Sequence, residues 1–169
     1  SLADAKLGSE KALNTKETGL FDAIDALTEI NQEAKDAAKA AITAAKETAI
    51  EEVKDARNEA NVANEESKGK NAMQVIYDAL LTENNTIIKD AIDKAITDIE
   101  ADAAAKKAEI DQLAHLGDEE KDAAKAAIDQ TLETAKSEIA DAKSTEAVQD
   151  AKSTFDTNTD AIAKQEVGS

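Results

Sequence analysis

The octapeptide KDAAKAAI occurs twice in this chain, at Lys35–Ile42 and again at Lys121–Ile128, an offset of 86 residues. At that offset the match extends without a gap from Ile24–Ile76 onto Ile110–Ile162, with about 20 of 53 positions identical. Ile24, Asp25 and Leu27 recur as Ile110, Asp111 and Leu113, Glu47-Thr48-Ala49 as Glu133-Thr134-Ala135, and Val62 as Val148. A looser match joins the stretch from Leu2 to that from Ile88. Whatever fold the chain takes must therefore be one unit built twice.

The unit is helical by its periodicity. Ile88, Ile92, Ala95, Ile99, Ala103, Ile110 and Leu113 fall three or four residues apart or at multiples of that step, and so do Ala124, Ile128, Leu132, Ala135, Ile139 and Ala142. Each series draws one apolar stripe along a helix. No proline interrupts the chain, and Val and aromatic residues are too few to suggest strands.

The second copy shows its turns best. Its first helix is expected over about Thr86–Leu116, ended by Gly117 in the left-handed conformation with Asp118 capping the next. Glu119 and Glu120 then lie in the first turn, where the helix dipole favours negative charge. The second helix ends near Lys143, Ser144 or Thr145 caps the third, and the third is the shortest of each set. In the first copy the helices are expected over about Leu13–Ile30, Glu33–Arg57 and Glu59–Leu81, with Asn31 taking the left-handed role of Gly117. Gly8-Ser9 and Gly19 are expected to delay or break the first helix, and Gly69, aligned with Phe155, to weaken the third.

Three antiparallel helices leave the chain at the end opposite its entry, so successive units can join end to end. The expected fold is all-α, two tandem elongated three-helix-bundle repeats forming a rod, with repeats at 1–82 and 83–169. At 1.5 Å per residue the rod is on the order of 80 Å long unless the junction at Leu81–Thr86 folds back. Polar residues there permit either a bend or a continuous helix. The alanine-rich seams are thin, since burial returns only about 25 cal/mol per Å² of apolar surface.

Residues 116–162 carry the pieces of a known repeat: the Asp118-Glu119-Glu120-Lys121 turn, Ala123-Ala124-Lys125, the Ala135-Lys136…Ile139…Ala142 stripe and Thr145…Val148. This stretch resembles the domain-of-unknown-function family fifteen forty-two, found in tandem in wall-anchored surface proteins of Gram-positive bacteria. The first copy has Asn31-Gln32-Glu33-Ala34 where the acidic turn would stand. The resemblance implies a segment of an extracellular adhesin or matrix-binding protein at the bacterial cell surface, its units serving as stalk or spacer. It supplies no catalytic residues. A more distant similarity to three-helix albumin-binding modules is weakened by their being about half as long.

The formal charge of −17 disfavours a nucleic-acid backbone or an anionic membrane, and no apolar run approaches the roughly 18 residues a membrane span requires. Site chemistry is sparse. His115 is the sole histidine, Arg57 the sole arginine, and there is no cysteine, so paired-histidine metal sites and thiol chemistry are excluded. No calcium-loop or phosphate-loop pattern appears. The chain is expected to be no enzyme, to need no cofactor or metal, and to be a monomer in an end-to-end array. Should it be secreted, it is expected to be a segment of a longer protein.

Three roles remain at this point: a surface-protein spacer with weak matrix adhesion, a dedicated host-protein-binding module of fibronectin- or albumin-binding type, and a stress-protective helical chain. For the binding role, Met73, Ile76, Tyr77 and Leu80 form the candidate partner patch if exposed. Core filling is the competing reading of Tyr77, Phe21 and Phe155, and it is the favoured one. Asn84-Asn85-Thr86 matches the glycosylation sequon.

Overall fold

A computed structural model describes residues 1–168, which form five α-helices: α1 Leu2–Asp25, α2 Gln32–Asp55, α3 Glu59–Asp111, α4 Asp118–Ala140 and α5 Thr145–Gly168. No strand occurs among the described residues. The chain divides into two units, Ser1–Asn85 and Thr86–Ser169. Helix α3, 53 residues long, runs through that boundary without interruption, which resolves the junction in favour of continuous helix.

Each unit has its own core. In the first, Leu13, Leu20 and Ile24 of α1 meet Ile42, Ala49 and Val53 of α2 and Val62, Met73 and Leu80 of α3. In the second, Ala95, Ile99, Ala103 and Ile110 of α3 meet Ala124, Ile128, Ala135 and Ile139 of α4 and Val148 and Phe155 of α5. The helical stripes read from the sequence supply these positions. Phe155 lies in the second core and Phe21 packs against the first, as core filling requires.

Helix starts are capped in parallel. Asn31 Oδ1 accepts from Ala34 N at 2.8 Å, and Asn58 Oδ1 from Asn61 N at 2.8 Å. Ser144, the counterpart of Asn58, accepts from Ala147 N at 3.0 Å. Gly117, the counterpart of Asn31, has no side chain to cap with, and Asp118, Glu119 and Glu120 offset the exposed N–H groups of α4 electrostatically.

Several boundaries differ from expectation for identifiable reasons. Neither Asn31 nor Gly117 is left-handed: both are extended, at φ −73° and −78°, and each is the N-cap of the following helix. The preceding helices close instead with tightened i→i+3 bonds, Leu27 N to Ile24 O and Leu113 N to Ile110 O, both 3.1 Å. Such a closure keeps φ negative, and none of the described residues has the positive φ that favours glycine. The helix before Gly117 ends at Asp111, short of Leu116, and α4 ends at Ala140, short of Lys143. Leu116 is nonetheless buried, in the turn.

Helix α1 starts at Leu2, capped by Ser1, and passes through Gly8 and Gly19. A helical glycine costs only about 1 kcal/mol against alanine, less than the burial of Leu13, Leu20 and Ile24 returns. The third helix of the second unit, α5 at 24 residues, is no shorter than α4 at 23.

Gly69 does not weaken α3. It is buried, and a Cβ placed on it would lie 2.3 Å from Ala49 Cβ and 3.1 Å from Leu13 Cδ2. The missing side chain is what lets α2 and α3 approach here.

Candidate functional site

The repeated octapeptide builds the same clasp in both units. Lys35 Nζ donates to the Asp25 carbonyl at 3.2 Å, and Lys121 Nζ to the Asp111 carbonyl at 2.9 Å. Four residues on, Lys39 pairs with the Asp25 carboxylate at 2.6 Å and Lys125 with that of Asp111 at 2.8 Å. Thus both lysines of the second helix reach back to the last residue of the first, covering its exposed carbonyl and matching the negative helix end. The Lys125 pKa is raised, chiefly by its hydrogen bond to Asp111.

These lysines are only partly exposed, at 22% and 28% for Lys39 and Lys125. Their aliphatic stems cover the turn, and Lys39 also lies 5.5 Å over the Phe21 ring. Between them, Ala38 packs partly buried and Ala124 fully, while Ile42 and Ile128 are completely enclosed. The clasp ties the start of the second helix to the end of the first in each unit.

The first unit contains a second polar cluster. Glu17 of α1 accepts from Thr43 Oγ1 at 2.7 Å and from Lys46 Nζ at 3.0 Å, both on α2, with the Glu17 and Lys46 side chains 16% and 14% exposed. Burial pushes the Glu17 carboxyl up, but the Thr43 and Lys46 hydrogen bonds outweigh it and leave the pKa below the ordinary carboxylate value. The cluster therefore reads as an ion pair across a helix seam. Among the described residues, no three His, Cys, Asp or Glu side chains gather in a way that could hold a metal ion.

The candidate partner patch does not assemble. Met73 is completely buried and Leu80 nearly so, both in the first core, and Ile76 and Tyr77 pack half-buried against it. All four lie on the inward face of α3, because steps of three and four residues keep them on one stripe. Of the neighbouring apolar residues only Val75 is largely exposed, at 66%.

Asn84, the sequon asparagine, is buried within α3. Its Oδ1 accepts from Glu29 N at 2.8 Å, so it holds the α1–α2 turn and offers no room for a glycan. Nothing in the sequence marks this asparagine as a turn-holder 55 residues from its partner. His115 stands in the turn after α3 with Nε2 2.9 Å from the Glu166 carbonyl, a bond to α5 instead of to the end of its own helix.

Shallow open grooves recur at equivalent places between the second and third helices of each unit. One is bordered by Thr48, Ala49, Glu52, Lys68, Gly69 and Ala72, the other by the aligned Thr134, Ala135, Glu138, Thr154, Phe155 and Asn158. Where Gly69 lets the second and third helices close up in the first unit, the second unit places the buried ring of Phe155.

No described helix is long and apolar enough to cross a membrane. Comparison with curated proteins and with solved structures gave no match. A family profile, in contrast, matches nearly the whole second unit, including the second octapeptide, the Asp111–Lys125 pair and the Ser144 cap. Residues 91–167 match the model of the family described as Domain of Unknown Function (DUF1542).

Proposed function

We propose that the chain is a non-catalytic spacer: two tandem three-helix bundles joined end to end into a rod, extending a bacterial cell-surface adhesin outward. The observation that carries this reading is α3, which serves as third helix of one core and first helix of the next with no break at the boundary. A shared helix transmits length and direction from unit to unit without a flexible linker, which is what a stalk needs. The repeated clasp supports it, since a spacer gains from reproducing one geometry in each unit. The first unit, by its register with the second, is on this reading a diverged repeat of the same family.

A host-protein-binding module is the second reading, favoured by the grooves that recur between the second and third helices. Surface-immobilised fibronectin, serum albumin and other matrix proteins, titrated with the full chain, separate the two. The spacer reading expects no saturable binding above that of an unrelated acidic helical protein. Saturable binding abolished by Ala72→Glu in the first groove would replace it with the module.

A further inference from the structure

Two near-copies in one chain create a folding hazard, because a helix from one copy can dock in the other's core. At each of the three helix seams, aligned positions differ between the two units. At the seam of first and second helices, the first unit has Glu17 bonded to Thr43 and Lys46, whereas the second has buried Ala103 with Leu132 at the Lys46 position. At the seam of second and third helices, Ala49 meets Gly69 with no space for a Cβ, whereas Ala135 shares its seam with the buried ring of Phe155. At the seam of first and third helices, the first unit buries Leu20 and bonds Lys16 to Gln74, whereas the second has Lys106, 16% exposed, paired at 3.3 Å with Asp160, the Gln74 counterpart.

We propose that these three substitutions form a pairing code that keeps the homologous helices of the two units from exchanging. Each exchange meets a specific penalty. The first helix of the second unit, docked on α2, sets Ala103 against Lys46 and strips that buried ammonium of its carboxylate. It also inserts Lys106 where Leu20 belongs, opposite Gln74 instead of Asp160. Helix α5 docked in the first unit drives Phe155 into Ala49 and Leu13, and the reverse exchange leaves a void where the ring had been. Losing one partner of a buried pair is strongly unfavourable, although replacing both by apolar groups is often neutral. Regions such as KDAAKAAI, identical in both units, carry no such discrimination, so it must reside in the positions that differ.

The test uses the full chain in three variants. Lys46→Leu brings one residue of the second unit into the first and leaves Glu17 without its cation. Glu17→Ala/Lys46→Leu completes the change and makes the first seam alike in both units. Tyr77 is the only tyrosine and there is no tryptophan, so tyrosine fluorescence follows the first unit while circular dichroism follows both. The pairing code expects a lower first-unit urea midpoint for Lys46→Leu and recovery to wild type or above for the double variant. On refolding from urea, the double variant with Leu20→Lys/Gln74→Asp added, which makes the seam of first and third helices alike as well, should show an added slow phase, or exchanged dimers by size-exclusion chromatography with light scattering, that wild type lacks. A Lys46→Leu midpoint equal to wild type, or a quadruple variant that refolds as a clean monomer with wild-type kinetics, overturns the proposal.

Discussion

Gly69→Ala is the substitution for which local propensity and tertiary packing most clearly disagree. Alanine in place of glycine inside a helix gains about 0.5–1 kcal/mol. At Gly69 the new Cβ would stand 2.3 Å from Ala49 Cβ, against about 3.5–4.0 Å for carbon atoms at rest in contact. The nearest atom is itself a Cβ fixed to the α2 backbone, so no side-chain rotation relieves the overlap. Helices α2 and α3 must separate locally by more than about 1 Å, and overpacking of this kind costs about 1–3 kcal/mol. The balance is a net loss of about 1 kcal/mol.

Gly8 and Gly19 provide the control, because a Cβ on either meets nothing within 4 Å, and Gly8→Ala and Gly19→Ala should each gain about 0.5–1 kcal/mol. The same chemical change thus differs by about 2 kcal/mol between sites. Adding Ala49→Gly to Gly69→Ala removes the overlap and should recover much of the loss, giving a coupling energy within the 0.5–3 kcal/mol seen for residues in contact. Urea denaturation monitored by Tyr77 fluorescence reads the first unit directly. Stabilisation by Gly69→Ala equal to that by Gly8→Ala would refute the close approach of α2 and α3.

Three further substitutions test particular bonds. Asn84→Ala leaves the Glu29 amide without its acceptor and should cost about 1 kcal/mol, with faster hydrogen exchange at Glu29; unchanged exchange there would show the bond to be absent. Ser9 is buried and its hydroxyl meets no partner in hydrogen-bond geometry, while the nearby Glu66 carboxyl is held below its ordinary value chiefly by its hydrogen bond to Lys70, with Ser9 a lesser cause. Since the second unit has Ala95 at this position, Ser9→Ala should stabilise by about 1 kcal/mol, and a loss would mean that Ser9 does donate to Glu66. Glu17 has a folded pKa held below its ordinary value of 4.5. Its contribution is therefore fully present above about pH 4.5 and is lost as pH falls through the lowered folded value, because the unfolded state then binds the proton more readily. The stability gap between wild type and Glu17→Gln should be constant from pH 7 to about pH 5 and shrink below pH 4.5; a gap that grows on acidification would contradict the Lys46 pairing.

What the sequence made legible was set by period and repetition. Ile24 and Ile110, Ile42 and Ile128, and Val62 and Val148 could be placed in a core because each lies on a stripe and recurs at the same offset. The Ser144 cap was legible because capping is a local property of three or four residues. The features missed depend on partners far along the chain. Gly69 looked like a helix breaker until Ala49 stood opposite it, and Glu17 looked like one more surface carboxylate among many until Lys46 met it 29 residues away. The clasp made by the octapeptide lysines was not legible, because a long, flexible side chain leaves no periodic trace of where its ammonium ends. Met73 and Leu80 looked like patch or core equally, since an apolar stripe is the same string of residues whether or not another helix covers it.

The central claim is that α3 is one continuous helix shared by two units, and the distance along it tests that claim directly. Spin labels on exposed Val75 and on Asp102 in a Val75→Cys/Asp102→Cys variant, read by double electron–electron resonance, lie 27 residues apart along α3. A continuous helix predicts a single narrow distribution centred at about 40 Å, from 1.5 Å per residue. A broad distribution, or one centred well below that distance, would mean that the helix breaks at the junction and that the chain cannot act as a stiff spacer.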